Sequence, residues 1–157
     1  MKAIPFFLYQ LLLSLWVGGM TAMAFVVAPP LFKTMGKDRA SEVTSVLFPV
    51  FFNYQILLIA LALVVFIYLA KSSLTTQRLG LGILILALAL ALYQALVLLP
   101  QAEHLRELIG SFETTAKSNP NRQAFGKLHG ISSSINLLLL LGGLIQLYLS
   151  PKLQQEK

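Results

Sequence analysis

Four stretches of this chain carry no charged side chain: Ala3 to Phe32, Val43 to Ala70, Leu79 to Ala102, and Leu128 to Pro151, the last interrupted only by His129. Each exceeds the roughly 20 apolar residues needed to cross a hydrocarbon core about 30 Å thick. A backbone inside lipid must satisfy its own hydrogen bonds, and stretches this long are too long for barrel strands, so each is expected to be helical. The expected fold is an all-α membrane protein, with transmembrane helices near 5–28, 48–70, 79–99 and 127–149 in one domain. A soluble alternative fails on surface chemistry. With 57% hydrophobic and 11% charged residues over 157 positions, the chain cannot cover a globule with polar side chains.

Proline supports these limits. Pro5, Pro29, Pro30, Pro49, Pro100 and Pro151 fall near the ends of the four stretches, where a ring that removes an N–H donor does least harm. Lys2, an apolar run and Ala22-Met23-Ala24 imitate a cleavable signal peptide, but hydrophobicity continues for eight residues past Ala24. Four crossings put both termini on the side of the short link Lys71–Arg78. That side holds Lys2, Lys71, Arg78, Lys152 and Lys157 in short segments. The other side spreads Lys33, Lys37, Arg39, Arg106, Lys117, Arg122 and Lys127 over two longer loops. Short flanking segments weigh most in the positive-inside rule, so both termini are expected in the cytoplasm. The net charge of +6 on so apolar a chain suits anionic headgroups of a lipid bilayer rather than nucleic acid.

The second long loop is amphipathic. Leu105, Leu108, Ile109 and Phe112 recur at helical spacing among Glu103, Arg106, Glu107 and Glu113, which suggests a helix on the membrane surface over about 101–117. Ser118 to Asn121 then reads as a turn. Short connections favour antiparallel neighbours, hence an up-down-up-down four-helix bundle. Small residues let helices approach in lipid. Gly80, Ala87, Ala91 and Ala95 share one face with Gln94, and Gly18, Gly19, Gly142 and Gly143 serve the outer spans. That Ala/Gly face is alternatively the seam of a homodimer.

Polar side chains within spans usually face the bundle interior. His129, Ser132, Ser133, Asn136 and Gly143 fall on one side of the fourth span. In an antiparallel bundle they lie level with Met20, Met23, Asn53, Tyr54, Tyr93 and Gln94. The candidate site is therefore a polar pocket of His129, Ser132, Ser133, Asn136, Gln94, Tyr93, Asn53 and Tyr54, opening toward the long loops. The competing view makes Ser132, Ser133 and Asn136 interhelical hydrogen-bond partners only, and His129 a snorkelling structural residue.

Cofactor chemistry finds little support. Zero cysteines remove thiolate zinc, iron–sulfur clusters and a catalytic thiol. Met20, Met23 and His129 are weak candidates for a soft ion such as copper(I), yet methionine is also an ordinary apolar filler. Haem would need His104 to fold in beside His129. No hydrolase, zincin or phosphate-loop motif occurs, and no Asp or Glu lies within a span. The expectation is no cofactor and no enzyme.

Trp16-Val17-Gly18-Gly19, Ala28-Pro29-Pro30-Leu31-Phe32, Leu47-Phe48 with Tyr54, Pro100, and Phe125-Gly126-Lys127-Leu128-His129-Gly130-Ile131-Ser132 together resemble the transmembrane protein 205-like family, catalogued as domain of unknown function 4149. The resemblance covers essentially the whole chain. It implies a four-span membrane protein whose molecular activity is not established, and the short chain without cysteine suits a bacterial member in the cytoplasmic membrane. The family namesake's link to platinum-drug resistance suggests export or trafficking. A more distant likeness to the copper-resistance D family keeps copper as a minority alternative. Three functions stay open: transport or a transport accessory with a small-molecule or metal ligand, a structural or interaction protein without a pocket, and copper- or haem-linked membrane redox.

Overall fold

The computed structural model describes residues 3–70 and 75–151. Lys2, Lys71, Lys152 and Lys157, which enter the orientation argument, lie outside the described residues. The helices are α1 (Ala3–Thr21), α2 (Ala28–Thr34), α3 (Lys37–Leu69), α4 (Thr75–Tyr93), α5 (Leu99–Ile109) and α6 (Pro120–Leu149). Single π-helical turns, Ala22–Val27 and Gln94–Leu98, join α1 to α2 and α4 to α5. The described chain therefore forms four rods, Ala3–Thr34, Lys37–Leu69, Thr76–Ile109 and Pro120–Leu149, each long and apolar enough to cross a membrane. The described residues contain no strand.

The rods run 30 to 34 residues, or about 45–50 Å at roughly 1.5 Å per residue. That is well beyond the hydrocarbon core. The surplus falls at the long-loop end, where α2, the start of α3, α5 and the start of α6 extend past the charge-free stretches. The expected spans 5–28, 79–99 and 127–149 fall inside single rods, and 48–70 runs one residue past the end of its rod at Leu69.

The prolines act differently from expectation. Pro29, Pro30, Pro49 and Pro100 do not end helices but lie inside continuous rods. A proline ring clashes with the carbonyl four residues back and offers it no N–H. Ahead of Pro29 and Pro100 the chain widens by one residue: the Ala28 N–H reaches back five positions to the Met23 carbonyl, and the Leu99 N–H to the Gln94 carbonyl. The helix absorbs the proline and continues. Asn119 caps α6 by accepting from the Asn121 and Arg122 N–H groups, with Pro120 at the first helical position.

The amphipathic stretch also departs from expectation. As far as Ile109 it is not a separate surface helix but α5, the extension of the third rod, packed along α6. Its apolar side meets the first turns of α6: Ile109 is buried, and Phe112 beyond it contacts Phe125 at 4.9 Å between ring centres. Gly110, at φ 68°, stops the helix in a conformation that other residues adopt reluctantly.

α1 packs on α3 and α6, and α4 packs on the same two helices. With alternating direction this gives an up-down-up-down bundle. Tyr9, Leu13, Trp16, Ile59, Leu84 and Leu139 are completely enclosed, while Phe7, Val46, Val64, Ile67, Leu96 and Tyr148 face outward. Exposed apolar side chains around the whole circumference suit a lipid solvent. Small residues set the closest approaches. A Cβ on Gly80 would meet the Phe66 ring at 2.9 Å, and one on Gly143 would meet Val17 Cγ2 at 2.7 Å. Ala87 and Ala91 are buried within this single bundle.

Candidate functional site

The polar groups of the spans collect at two depths. Near the short link, the buried Tyr9 hydroxyl donates to Gln146 Oε1 at 2.9 Å, and Gln146 Nε2 donates to the Gly80 carbonyl. Gln10 Nε2 donates to Ser150 Oγ at 2.7 Å. Three rods are thereby tied at a level where Phe66 packs on Tyr9 at 5.8 Å. Gln146 and Ser150 are each 1% exposed, so among the described residues this end is packed shut.

The second polar level is built by α6 and the π turn of the third rod. Gln94 opens that turn and is completely buried. Its Oε1 accepts from Ser132 Oγ at 2.7 Å, and its Nε2 donates to Asn136 Oδ1 at 3.2 Å. Ser132 and Asn136 stand one helical turn apart, so a single amide bridges both. This three-residue clamp joins α6 to the third rod.

Around the clamp the bundle loosens into three adjoining cavities. The largest, about 460 Å³, lies between the first rod, α3 and α6. Met20, Met23, Phe25, Pro29, Leu137 and Leu140 contribute apolar wall, and His129, Ser133 and Asn136 the polar groups. A second, about 360 Å³, sits further out among Phe32, Phe48, Phe112, Phe125, Lys37 and Arg122. A third, about 70 Å³, lies between α3 and α5 against Glu103, Arg106 and Ser132. His129 and Phe48 belong to all three walls.

Of the eight candidate residues, the structure brings five together. His129, Ser132, Ser133, Asn136 and Gln94 form the clamp and the adjoining cavity walls. The other three go elsewhere. Tyr54 donates its hydroxyl to the Leu15 carbonyl at 2.8 Å and lies over Gly19, which makes it an α1–α3 packing residue. Asn53 is exposed, and Tyr93 is 44% exposed on the outside of its rod. The soft-ion candidates Met20, Met23 and His129 do share the largest cavity, but Met20 Sδ already accepts the Trp16 indole N–H at 3.1 Å. His104 is exposed on α5. Among the described residues no group of three or more His, Asp or Glu stands together as metal ligands would.

Several polar groups escape a reading of the sequence. Gln146 lies 14 residues, about four turns, beyond Ser132, so the polar side of α6 continues to the shut end; that signal is present in the spacing. Gln55 is completely buried, with neither amide atom hydrogen-bonded, and Arg106 Nε is likewise buried without a partner beside the smallest cavity. At the rim, Asp38 Oδ2 accepts from Ser111 Oγ at 2.6 Å and Oδ1 accepts the Phe112 N–H. The Ser111 hydrogen bond, followed by backbone N–H groups and the Arg122 charge, outweighs desolvation and holds the Asp38 carboxyl below the usual carboxylate range.

Four lipid-length rods with a cavity cluster at one end define a small multi-pass helical membrane protein. The chain belongs to the family described as a domain of unknown function (DUF4149), whose model matches residues 11–111. An uncharacterized protein of Aquifex aeolicus (strain VF5) is 33% identical over 130 residues, covering 83% of this chain and 84% of that one. No solved structure matches. Neither the family description nor the relative's name carries an activity. The family match ends before α6, so His129, Ser132, Ser133 and Asn136 fall outside it.

Proposed function

We propose that the protein binds a small membrane-borne molecule in the cavities around His129 and serves as a transport or transport-accessory protein. The observation that carries this is the 460 Å³ cavity between the first rod, α3 and α6, mainly apolar with three polar groups on one side. Ligand sites have this size and this mixture of walls. A purely structural role would use Ser132, Asn136 and Gln94 to close the bundle, as Tyr9 and Gln146 do at the other end. Here the clamp is made and the space beside it stays.

The proposed setting is a bacterial cytoplasmic membrane with both termini inside, supported by the density of basic residues in the short segments. The mode of action is binding rather than catalysis. Burial of Ala87 and Ala91 inside one bundle supports a single chain as the working unit and weakens the alternative of a homodimer seam along that face. Copper or haem chemistry remains the competing proposal. A stoichiometric metal or a visible absorption band in protein purified from membranes would favour it.

The test is saturable binding of a fluorescent alkyl probe to purified protein in nanodiscs, repeated with Ser133→Trp, which fills the largest cavity from an exposed position. Binding that disappears in the variant while the melting temperature holds supports the proposal. Absence of saturable binding, or binding indifferent to Ser133→Trp, overturns it.

A further inference from the structure

The two larger cavities differ in chemistry along the membrane normal. The outer one has Lys37 and Arg122 in its wall, and no acidic residue lines it. Both cations lie beyond the charge-free stretches, at the level of lipid headgroups. The inner cavity, reached past the shared walls Phe32, Phe48 and His129, is lined by Met20, Leu137 and Leu140, all inside those stretches and hence at hydrocarbon depth. A site that is cationic outside and apolar inside matches one shape of molecule. We propose that the cavities hold a single-chain anionic amphiphile, with its carboxylate or phosphate between Lys37 and Arg122 and its alkyl chain down the groove between the first rod and α6.

The neighbouring charges allow this. Asp38, the acid that feels Arg122, is committed to the Ser111 hydroxyl and the Phe112 amide. The Glu113 carboxylate lies against Gly36, outside the cavity wall. Arg122 donates through one guanidinium nitrogen to the Thr115 carbonyl, which orients it and leaves further donors for an anion. His129 and Ser133 lie along the path between head and tail and offer hydrogen bonds to the polar end. Amphiphiles already float in the bilayer in this orientation, head outward and tail inward, so lateral capture needs no inversion.

This inference rests on the binding proposal above, and its test separates the two. The probes are dodecyl phosphate, dodecylphosphocholine and dodecanol, which share a chain and differ in head charge, each competing against the fluorescent alkyl probe in nanodiscs of uncharged lipid. The expected result is that dodecyl phosphate competes at least about tenfold better than dodecanol, a difference of about 1.4 kcal/mol. Lys37→Gln and Arg122→Gln should each reduce that preference, weakening dodecyl phosphate competition more than dodecanol competition. Lys37→Gln is the cleaner variant, because Arg122 also holds the Thr115 turn. Laurate in place of dodecyl phosphate shows whether the site takes carboxylate as well. Equal competition by all three heads, still abolished by Ser133→Trp, would overturn the anionic assignment while leaving the cavity proposal intact. Loss of all binding to wild-type protein would overturn both.

Discussion

The two ends of the bundle solve the same chemical problem in opposite ways. Each carries a buried glutamine that ties rods together: Gln146 at the short-link end and Gln94 at the long-loop end. Around Gln146 the space is filled by Tyr9 and by Phe66, whose ring takes the room beside Gly80 that a side chain there would need. Around Gln94 the helix is widened by a π turn, the rods run on past the hydrocarbon, and cavities remain. The same residue type thus serves closure at one end and borders a binding volume at the other. Amide chemistry does not decide the outcome; the packing of the surrounding residues does.

The contrast is sharpest for glycine. Toward the shut end, Gly143→Val drives side-chain atoms into Val17 and the enclosed Trp16, and overpacking of this kind costs roughly 1–3 kcal/mol. At the open end, a Cβ on Gly130 would meet nothing within 4 Å, so Gly130→Val should leave the melting temperature unchanged or slightly raised. Thermal unfolding in detergent measures both, and equal losses would break the comparison.

The glutamines give the next effect. Gln146→Leu strips an enclosed Tyr9 hydroxyl of its acceptor and is expected to cost about 1–2 kcal/mol, part of which Tyr9→Phe should restore in the double variant. Gln94→Leu should cost less, near the roughly 0.6 kcal/mol average for such bonds in membranes, because Ser132 and Asn136 border space that admits water. Gln55→Leu should move stability the other way by about 1 kcal/mol, since it removes a buried amide with no partner. The smallest effect concerns the rim. The folded carboxyl of Asp38 ionises below its ordinary value of 3.8, so its contribution is present above that value and fades as the pH falls through the lower folded one. Protection of the Phe112 amide against hydrogen exchange, corrected for intrinsic rates, should drop over that acid range and show no such pH dependence in Asp38→Asn, whose amide oxygen still accepts but does not titrate there.

Depth is legible in the sequence, and direction only in part. Exclusion of charge from lipid is a one-dimensional rule, so the four crossings and the level of His129, Asn136 and Gln94 can be read directly. The side of a helix on which a residue emerges depends on about 100° of rotation per position. Asn53, Tyr54 and Gln55 share one depth, yet they emerge outward, against α1 and into the core. Spacing alone groups the first two with the pocket and passes over the third. The π turns compound this, since one extra residue rotates everything beyond it. They also explain why Pro29, Pro30 and Pro100 look like borders. A proline ends a helix unless the preceding turn widens, and that choice is made by packing with α3 and α6, which no local pattern records.

Among the described residues, the long-loop end of this bundle borders accessible cavities and the core of α6 beyond them is packed closed. The absence of cysteine allows a direct measurement: the rate at which a water-soluble methanethiosulfonate reagent modifies Ser133→Cys in membranes, compared with Leu139→Cys, which lies deeper along α6 and is 1% exposed. Rapid modification of Ser133→Cys, slowed by an alkyl amphiphile, beside an inert Leu139→Cys is the result expected. Equal, slow modification at both positions would contradict it.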